Sequence, residues 1–288
     1  MADIIRLRNP LDTSKYIDIN NSTLSGCFLG VEQCDFGKFT GYRKAIHEFP
    51  GQDIAKYQKI GLNPRDGKIN FYLMAQNSAT TYRTDLHNAL NDLYNYMFIQ
   101  DVQLYLNPPN RYVVVNCVGA NVTDDVKDDS VLNIETNFIA VDPFSYEDSL
   151  TVQSSYMGSV SGKNQSFHVS GMLYVDPIIK WSNYGGGLAS GFYRQENFMI
   201  YNDTNGTYYE FNSQTPLVSG WYLEIDCTNA TVISNNIADS LTDINKIGYT
   251  NSPSFMRLEG NRSNNLRVID SLQNSGKLEI TYRNRWFV

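Results

Sequence analysis

Apolar and polar residues alternate along most of this chain, and the spacing turns helical at one place. The alternation is clearest in 276–288, where Leu278, Ile280 and Tyr282 interleave with Glu279, Thr281 and Arg283. That is the pattern of a half-buried antiparallel strand. An aromatic-rich strand there predicts that the final residues close a sheet.

The first half reads as strands around one helix. Ile69, Phe71 and Leu73 share one face of a strand over 68–74. Over 81–97, Leu86, Ala89, Leu90, Leu93, Tyr94 and Met97 recur at helical spacing, with Asp85 in the first turn, where negative charge is favoured. Strands resume with Val102, Leu104 and Leu106, turn at Asn107-Pro108-Pro109-Asn110, and return over 112–118, a hairpin with a longer loop. A further strand spans 131–141, with Leu132, Ile134 and Phe138 alternating against Asn133, Glu135 and Asn137.

The pattern lapses after Val141-Asp142-Pro143-Phe144-Ser145-Tyr146, and 147–163 is Ser- and Gly-rich with weak periodicity. This places a domain boundary near residue 150, dividing the chain into 1–148 and 149–288. The second half predicts an all-β sandwich or jelly roll, with strands near 167–175, 178–181, 198–201, 207–211, 221–227, 231–234, 255–258, 266–269 and 278–287. Asn202-Asp203-Thr204-Asn205-Gly206 ends in a tight-turn signal between two of them.

Composition supports this reading. The 288 residues suit two domains of roughly 140 residues each. Abundant Tyr, Asn and Ser with 18% charged residues favour strands and polar turns over helical bundles. A net charge of −7, with basic residues scattered apart from Arg283 and Arg285, argues against a nucleic-acid-binding surface. The N-terminus has no apolar run of signal-peptide length and no segment suits a bilayer span, which predicts synthesis in a cytosol.

Catalytic and metal chemistry finds little footing. Cys27, Cys34, Cys117 and Cys227 form no CxxC pair and have no His at zinc-finger spacing. Cys117 and Cys227 read as buried thiols, while Cys27 and Cys34 could lie on neighbouring strands. Among the imidazoles, His47, His87 and His168, none neighbours a nucleophile pattern; His87 and His168 read as surface residues. Asp124–Asp129 is densely acidic but lacks the glycine and closing glutamate of a calcium loop, so it reads as a solvated hairpin loop. Gly185-Gly186-Gly187 is followed by no helix with a Lys-Ser/Thr pair and reads as a turn. Glu210, Glu224 and Asp226 are the carboxylates that a glycosidase would have to bring together across a cleft. Trp181, Tyr184, Trp221 and Tyr222 could stack on sugars if exposed, against the alternative that the tryptophans fill the core.

In order along the chain, these features resemble the distal tail proteins, baseplate hubs of siphophages infecting Gram-positive bacteria. Four elements carry the resemblance: the leading β domain with one long helix; the junction Phe138-Ile139-Ala140-Val141-Asp142-Pro143-Phe144-Ser145-Tyr146; an all-β second domain with Leu223-Glu224-Ile225-Asp226 and Leu258-Glu259-Gly260-Asn261; and the closing Gly-x-Leu-x-Ile-x-Tyr-x-x-x-Trp strand. The resemblance implies a mainly β protein. A β-sandwich with one helix would build a ring, typically hexameric, that continues the tail tube. A galectin-like second domain would hold receptor-binding and other baseplate proteins. It further implies a non-enzymatic virion component of the tail tip, without cofactor, whose partners are its own copies, the tail tube protein, a tail-associated lysin or fibre protein, and a receptor-binding protein. No length is left for an inserted carbohydrate-binding module. The competing reading is a lectin-like host-recognition protein gripping cell-wall glycan through the four aromatic residues named above.

Overall fold

The computed structural model describes residues 5–36, 42–48, 55–62, 64–76, 81–106, 111–124, 129–140, 142, 144–157, 163–183, 198–211, 222–234, 247–250, 255–270 and 276–287. The chain divides into two compact units, Met1–Asp148 with Phe287–Val288, and Ser149–Trp286. Both are built from antiparallel sheets, and the protein is mainly β with one α-helix among the described residues.

The first unit contains β1 (Ile5–Arg8), β2 (Tyr16–Ile19), β3 (Ser22–Leu24), β4 (Cys27–Phe36), β5 (Tyr42–Glu48), β6 (Ala55–Leu62), β7 (Arg65–Ala75), α1 (Tyr82–Met97), β8 (Val102–Leu106), β9 (Arg111–Asp124), β10 (Val131–Ala140) and β11 (Phe144–Glu147). Strands pair in the order β2-β1-β8-β9-β10-β7-β4-β3, with β11 also on β9. β9 is the corner. Val113–Val115 pair with β8, whereas Asn116–Asp124 pair with β10. At the corner Val118 is skipped, because Asn137 faces Gly119 while Phe138 faces Cys117. Such a bulge bends a strand and lets one strand serve two sheets.

The first core fills with the inward side chains of these strands, among them Leu7, Ile19, Leu29, Phe71, Leu104, Val115 and Phe138. The helix seals it. Leu86, Ala89, Leu93 and Met97 are buried along one stripe, and α1 packs on β7, β3, β1 and β4. It begins where the apolar spacing predicts, with Thr81 accepting the amide of Asp85 and donating its hydroxyl to the Asp85 carboxylate at 3.1 Å. It ends at Phe98, ahead of the left-handed Asp101 (φ 59°).

The second unit contains β12 (Thr151–Met157), β13 (Lys163–Val169), β14 (Ile178–Asn183), β15 (Phe198–Asn202), β16 (Thr207–Phe211), β17 (Tyr222–Asp226), β18 (Thr231–Ser234), β19 (Ile247–Thr250), β20 (Arg262–Asp270) and β21 (Gly276–Tyr282); the last strand of the chain, β22 (Arg285–Phe287), belongs to neither of its sheets. One sheet runs β12-β21-β14-β17-β18 and the other β13-β20-β15-β16-β19. One core serves both: Trp181, Leu223, Ile225, Leu278 and Ile280 from the first, Phe167, Ile200, Tyr209, Leu266 and Val268 from the second. This is a β-sandwich.

Three expectations change in detail. The closing strand is central, since β21 lies between β12 and β14, and it stops at Tyr282. Asn284 turns inward there, 5% exposed, to accept the amide of Gly171 at 2.9 Å. The weakly periodic stretch after residue 147 contains an edge strand, β12, whose outward Val152 and Tyr156 are solvent-exposed. Its apolar alternation is therefore not a burial signal. The predicted strands at 167–175 and 255–258 reduce, beyond β13, to a single bridge between Val175 and Leu258.

Candidate assembly surfaces

Among the described residues, those that enzymatic or sugar-binding readings would need together lie apart. Trp181 is 1% exposed, with its indole packed over Gly276, where a Cβ would lie 2.2 Å from the ring. A ring sealed in the core has no face to offer a sugar, which corrects its place in the stacking set. Tyr222 lies on the opposite, outward face of the same sheet, and the Lys180 ammonium sits 3.8 Å from its ring centre. Tyr184 and Trp221 lie outside the described residues.

The carboxylates do not converge either. Glu210 is on β16 and Glu224 and Asp226 on β17, in different sheets. The neighbours Tyr209, Leu223 and Ile225 are buried, so all three acids point out of the sandwich on opposite sides. They cannot flank one glycosidic bond. Glu224 faces Lys180 at 4.0 Å, and Asp226 accepts the amides of Thr228 and Asn229 at 2.9 and 3.0 Å.

His168 is exposed on β13. His87, also exposed, borders an open groove of about 350 Å³ with Arg83, Asp124 and Asp129. In that groove Arg83 and Asp129 approach to 3.6 Å. Among the described residues no cluster of three His, Cys, Asp or Glu could hold a metal. The side chain of His47, the middle of the acidic loop and the Gly185–Gly187 run lie outside them. Cys27 and Cys34 share strand β4; seven residues of extended chain, about 23 Å, separate them, so they cannot bridge. All four cysteines are free thiols.

What the first unit does present is a broad polar sheet face. On β4, β7, β10 and β9 the cross-strand rows read Gln33–Asn70–Glu135–Asn121, Asp35–Lys68–Asn137–Gly119 and Gly30–Tyr72–Asn133–Thr123. Their alternates, including Ile69, Phe71, Ile134 and Phe138, are buried in the core. In these rows the outward face is thus mostly uncharged and polar, with five amide side chains and with Asp35, Glu135 and Lys68 as its charges. Its lysine, Lys68, is ion-paired with Glu135. The Tyr72 ring lies over Gly30, where a Cβ would come within 2.2 Å of it, and keeps the surface low.

A second feature is the β5–β6 hairpin, which forms a two-stranded sheet of its own. Residues 42–62 carry four Lys or Arg against two Asp or Glu in a chain of net charge −7. A lone hairpin is marginal in water and gains stability from a partner surface.

These features take on meaning beside known structures. The crystal structure of the SPP1 Dit (gp 19.1) protein, described as a paradigm of the hub adsorption apparatus in Gram-positive infecting phages, overlays 98% of this chain and 99% of its own at a TM-score of 0.64 and 11% identity. The chain has the Dit fold. Two structures of the phage P2 baseplate in its activated conformation, with Ca and with Sr, align over 99% and 98% of this chain, at TM-scores of 0.44 and 0.46 and identities of 10% and 11%. Those scores are too low to bear on the fold, so the comparison stands on SPP1 Dit. No protein-family model matches the sequence, and no curated protein does.

The resemblance drawn from sequence is met at the level of the fold, end to end. The amide face is what sequence reasoning missed. Its signal was present in the Asn and Glu residues alternating with Ile134 and Phe138, but which strands lie side by side is a non-local fact.

Proposed function

We propose that this protein is a structural hub of a phage tail tip. The observation that carries the reading is the overlay with SPP1 Dit along essentially the whole of both chains. In this reading the first unit closes with identical copies into a ring, a hexamer, that continues the tail tube. The second unit faces outward and holds receptor-binding and adsorption proteins. The protein is made in the host cytoplasm, resides in the virion at the baseplate and performs no catalysis. Its partners are its own copies, the tail tube protein, a tail-associated lysin or fibre protein, and a receptor-binding protein.

The two surfaces of the first unit support this role. Ring closure needs heterologous head-to-tail contacts, and a basic hairpin with no other strand partner in its own chain among the described residues suits an acidic neighbouring copy. A pore that passes DNA needs a wall without free cations, since phosphate affinity comes from Lys and Arg; the amide face, with Lys68 neutralised, meets that need. The lectin reading loses Trp181 to the core and gains no observation in exchange.

Size-exclusion chromatography with light scattering, followed by negative-stain imaging, tests the proposal. A closed ring of several copies with a central hole is the expected result. A protein that stays monomeric even with its tail tube partner, and is retained by cell-wall glycan, would overturn it.

A further inference from the structure

The turn between β15 and β16 carries Asn205-Gly206, and it needs that glycine. Gly206 sits at φ 74°, a left-handed conformation that other residues adopt only with strain. Asparagine is a thermolabile residue, and most so before glycine. No side chain then shields the following backbone nitrogen, which can attack the carboxamide.

The folded turn holds both partners of that reaction. Gly206 donates its amide to the Asn202 carbonyl at 2.8 Å. The Asn205 carboxamide is tied at both ends. Its Nδ2 donates to the Arg257 carbonyl at 2.9 Å, and its Oδ1 accepts the Thr207 amide at 3.1 Å and the Thr207 hydroxyl at 2.7 Å. These partners fix which end is which, since a carboxamide nitrogen could not accept the Thr207 amide. Buried Asn202 shares the acceptor, its Nδ2 donating to the Arg257 carbonyl at 3.2 Å. The turn is also moored to β20. Asp203 donates its amide to the Asn265 carbonyl at 2.9 Å, and Thr204 Oγ1 accepts the Asn265 amide at 2.9 Å.

Two donors on Oδ1 polarise the carboxamide and favour attack at Cγ, so the electrophile is ready. The nucleophile is withheld. Nitrogen attacks only after losing its proton, and here that proton is engaged by Asn202. Asn205 itself is exposed, so water and base reach the turn whenever it opens.

We propose that Asn205 is a self-modification site, where the folded turn holds back a deamidation that local opening releases. On opening, the Gly206 nitrogen gives its proton to base and bonds to Asn205 Cγ. The Cγ–Nδ2 bond breaks, and ammonia leaves with a proton taken from water, which closes a cyclic succinimide. Water then adds to either succinimide carbonyl and yields aspartate or isoaspartate. No oxidant, reductant or cofactor enters. Neither product fits the turn again. Aspartate sets a carboxylate against the Arg257 carbonyl where a donor stood. Isoaspartate lengthens the backbone inside a turn closed by the Gly206–Asn202 hydrogen bond. The change is one-way, and a turn that has reacted stays loosened. The site is independent of the hub reading, because every residue it uses lies within the second unit.

Peptide mapping by mass spectrometry, with isoaspartate quantified, tests this on the full-length protein at mildly alkaline pH, native or unfolded in guanidinium chloride. Asn205 is expected to react in the unfolded chain, and more than about tenfold more slowly in the native one. Thr204→Val removes the acceptor of the Asn265 amide and should speed the native reaction about fivefold, the effect of one hydrogen bond on opening. Hydrogen exchange at the Gly206 amide reads the same opening without a substitution, and it should be slowed in the wild type. Asn205→Asp, one product made directly, should lower the melting temperature by a few degrees. No reaction at Asn205 in the unfolded chain, equal rates in the two forms, or an unprotected Gly206 amide refutes the proposal. So does a folded Thr204→Val chain that reacts at the wild-type rate. An Asn205→Asp chain as stable as wild type overturns the one-way consequence.

Discussion

Gln153 grips the backbone of His168 from both sides, its Nε2 donating to the carbonyl at 2.7 Å and its Oε1 accepting the amide at 3.2 Å. The Tyr282 hydroxyl donates to the same carbonyl at 2.6 Å. Gln153 lies on β12 and His168 on β13, the edge strands of the two sheets. One side chain therefore ties the sandwich shut along that side and occupies backbone groups that a stray strand would otherwise pair with.

Removing this clip should both weaken and unmask the edge. Gln153→Ala is expected to lower the unfolding free energy by about 1–2 kcal/mol, two neutral hydrogen bonds' worth. It should also produce higher-order species in size-exclusion chromatography. An unchanged urea midpoint would show that the contact contributes nothing.

The second core depends on a glycine. A Cβ at Gly276 would sit 2.2, 2.4 and 2.7 Å from three carbons of the buried Trp181 ring, so the indole must move. Overpacking of this kind costs about 1–3 kcal/mol. Gly276→Ala should lower the melting temperature and alter the near-ultraviolet dichroism of the tryptophans, and a native spectrum would count against the packing described.

Alkali should destabilise the second unit. Burial pushes the Cys227 thiol from 9.0 up to about 12, with the Tyr209 hydroxyl 3.6 Å from its sulfur. Burial likewise raises Tyr209 above its usual value. The unfolded chain gives up the Cys227 proton from about pH 9, whereas the folded chain keeps it to about 12. Above pH 9 the unfolded state therefore binds fewer protons, and stability falls as pH rises. Cys227→Val should flatten that fall in a series of thermal melts. An identical pH slope in the variant would remove Cys227 from the account.

Backbone strain gives a test of opposite sign. Ala230, in the turn between β17 and β18, sits at φ 55°, where an L side chain is disfavoured. Ala230→Gly relieves that cost and returns part of it as unfolded-chain entropy, for a net gain of roughly 0.5–1 kcal/mol. A loss of stability on chemical denaturation would contradict the strain.

Much of the local structure was legible before any coordinates. The α1 stripe of Leu86, Ala89, Leu93 and Met97 is buried as its spacing predicts. Leu278, Ile280 and Tyr282 face the core with Glu279 and Thr281 turned outward. The β8–β9 hairpin pairs across the predicted turn. The alternatives that the sequence left open were non-local. Cys27 and Cys34, imagined on neighbouring strands, share one strand, and Trp181 and Tyr222 occupy opposite faces of a single sheet.

Alternation is a property of adjacent residues, so the chain alone determined which side chains turn inward and where a helix interrupts the strands. Strand neighbours are chosen by contacts between distant segments, and no local period records them. Only the tertiary structure set Gln33, Asn70, Glu135 and Asn121 in one row of a polar wall. The same long-range packing brought Arg257 and Arg285 together on Asp176 beside Tyr174.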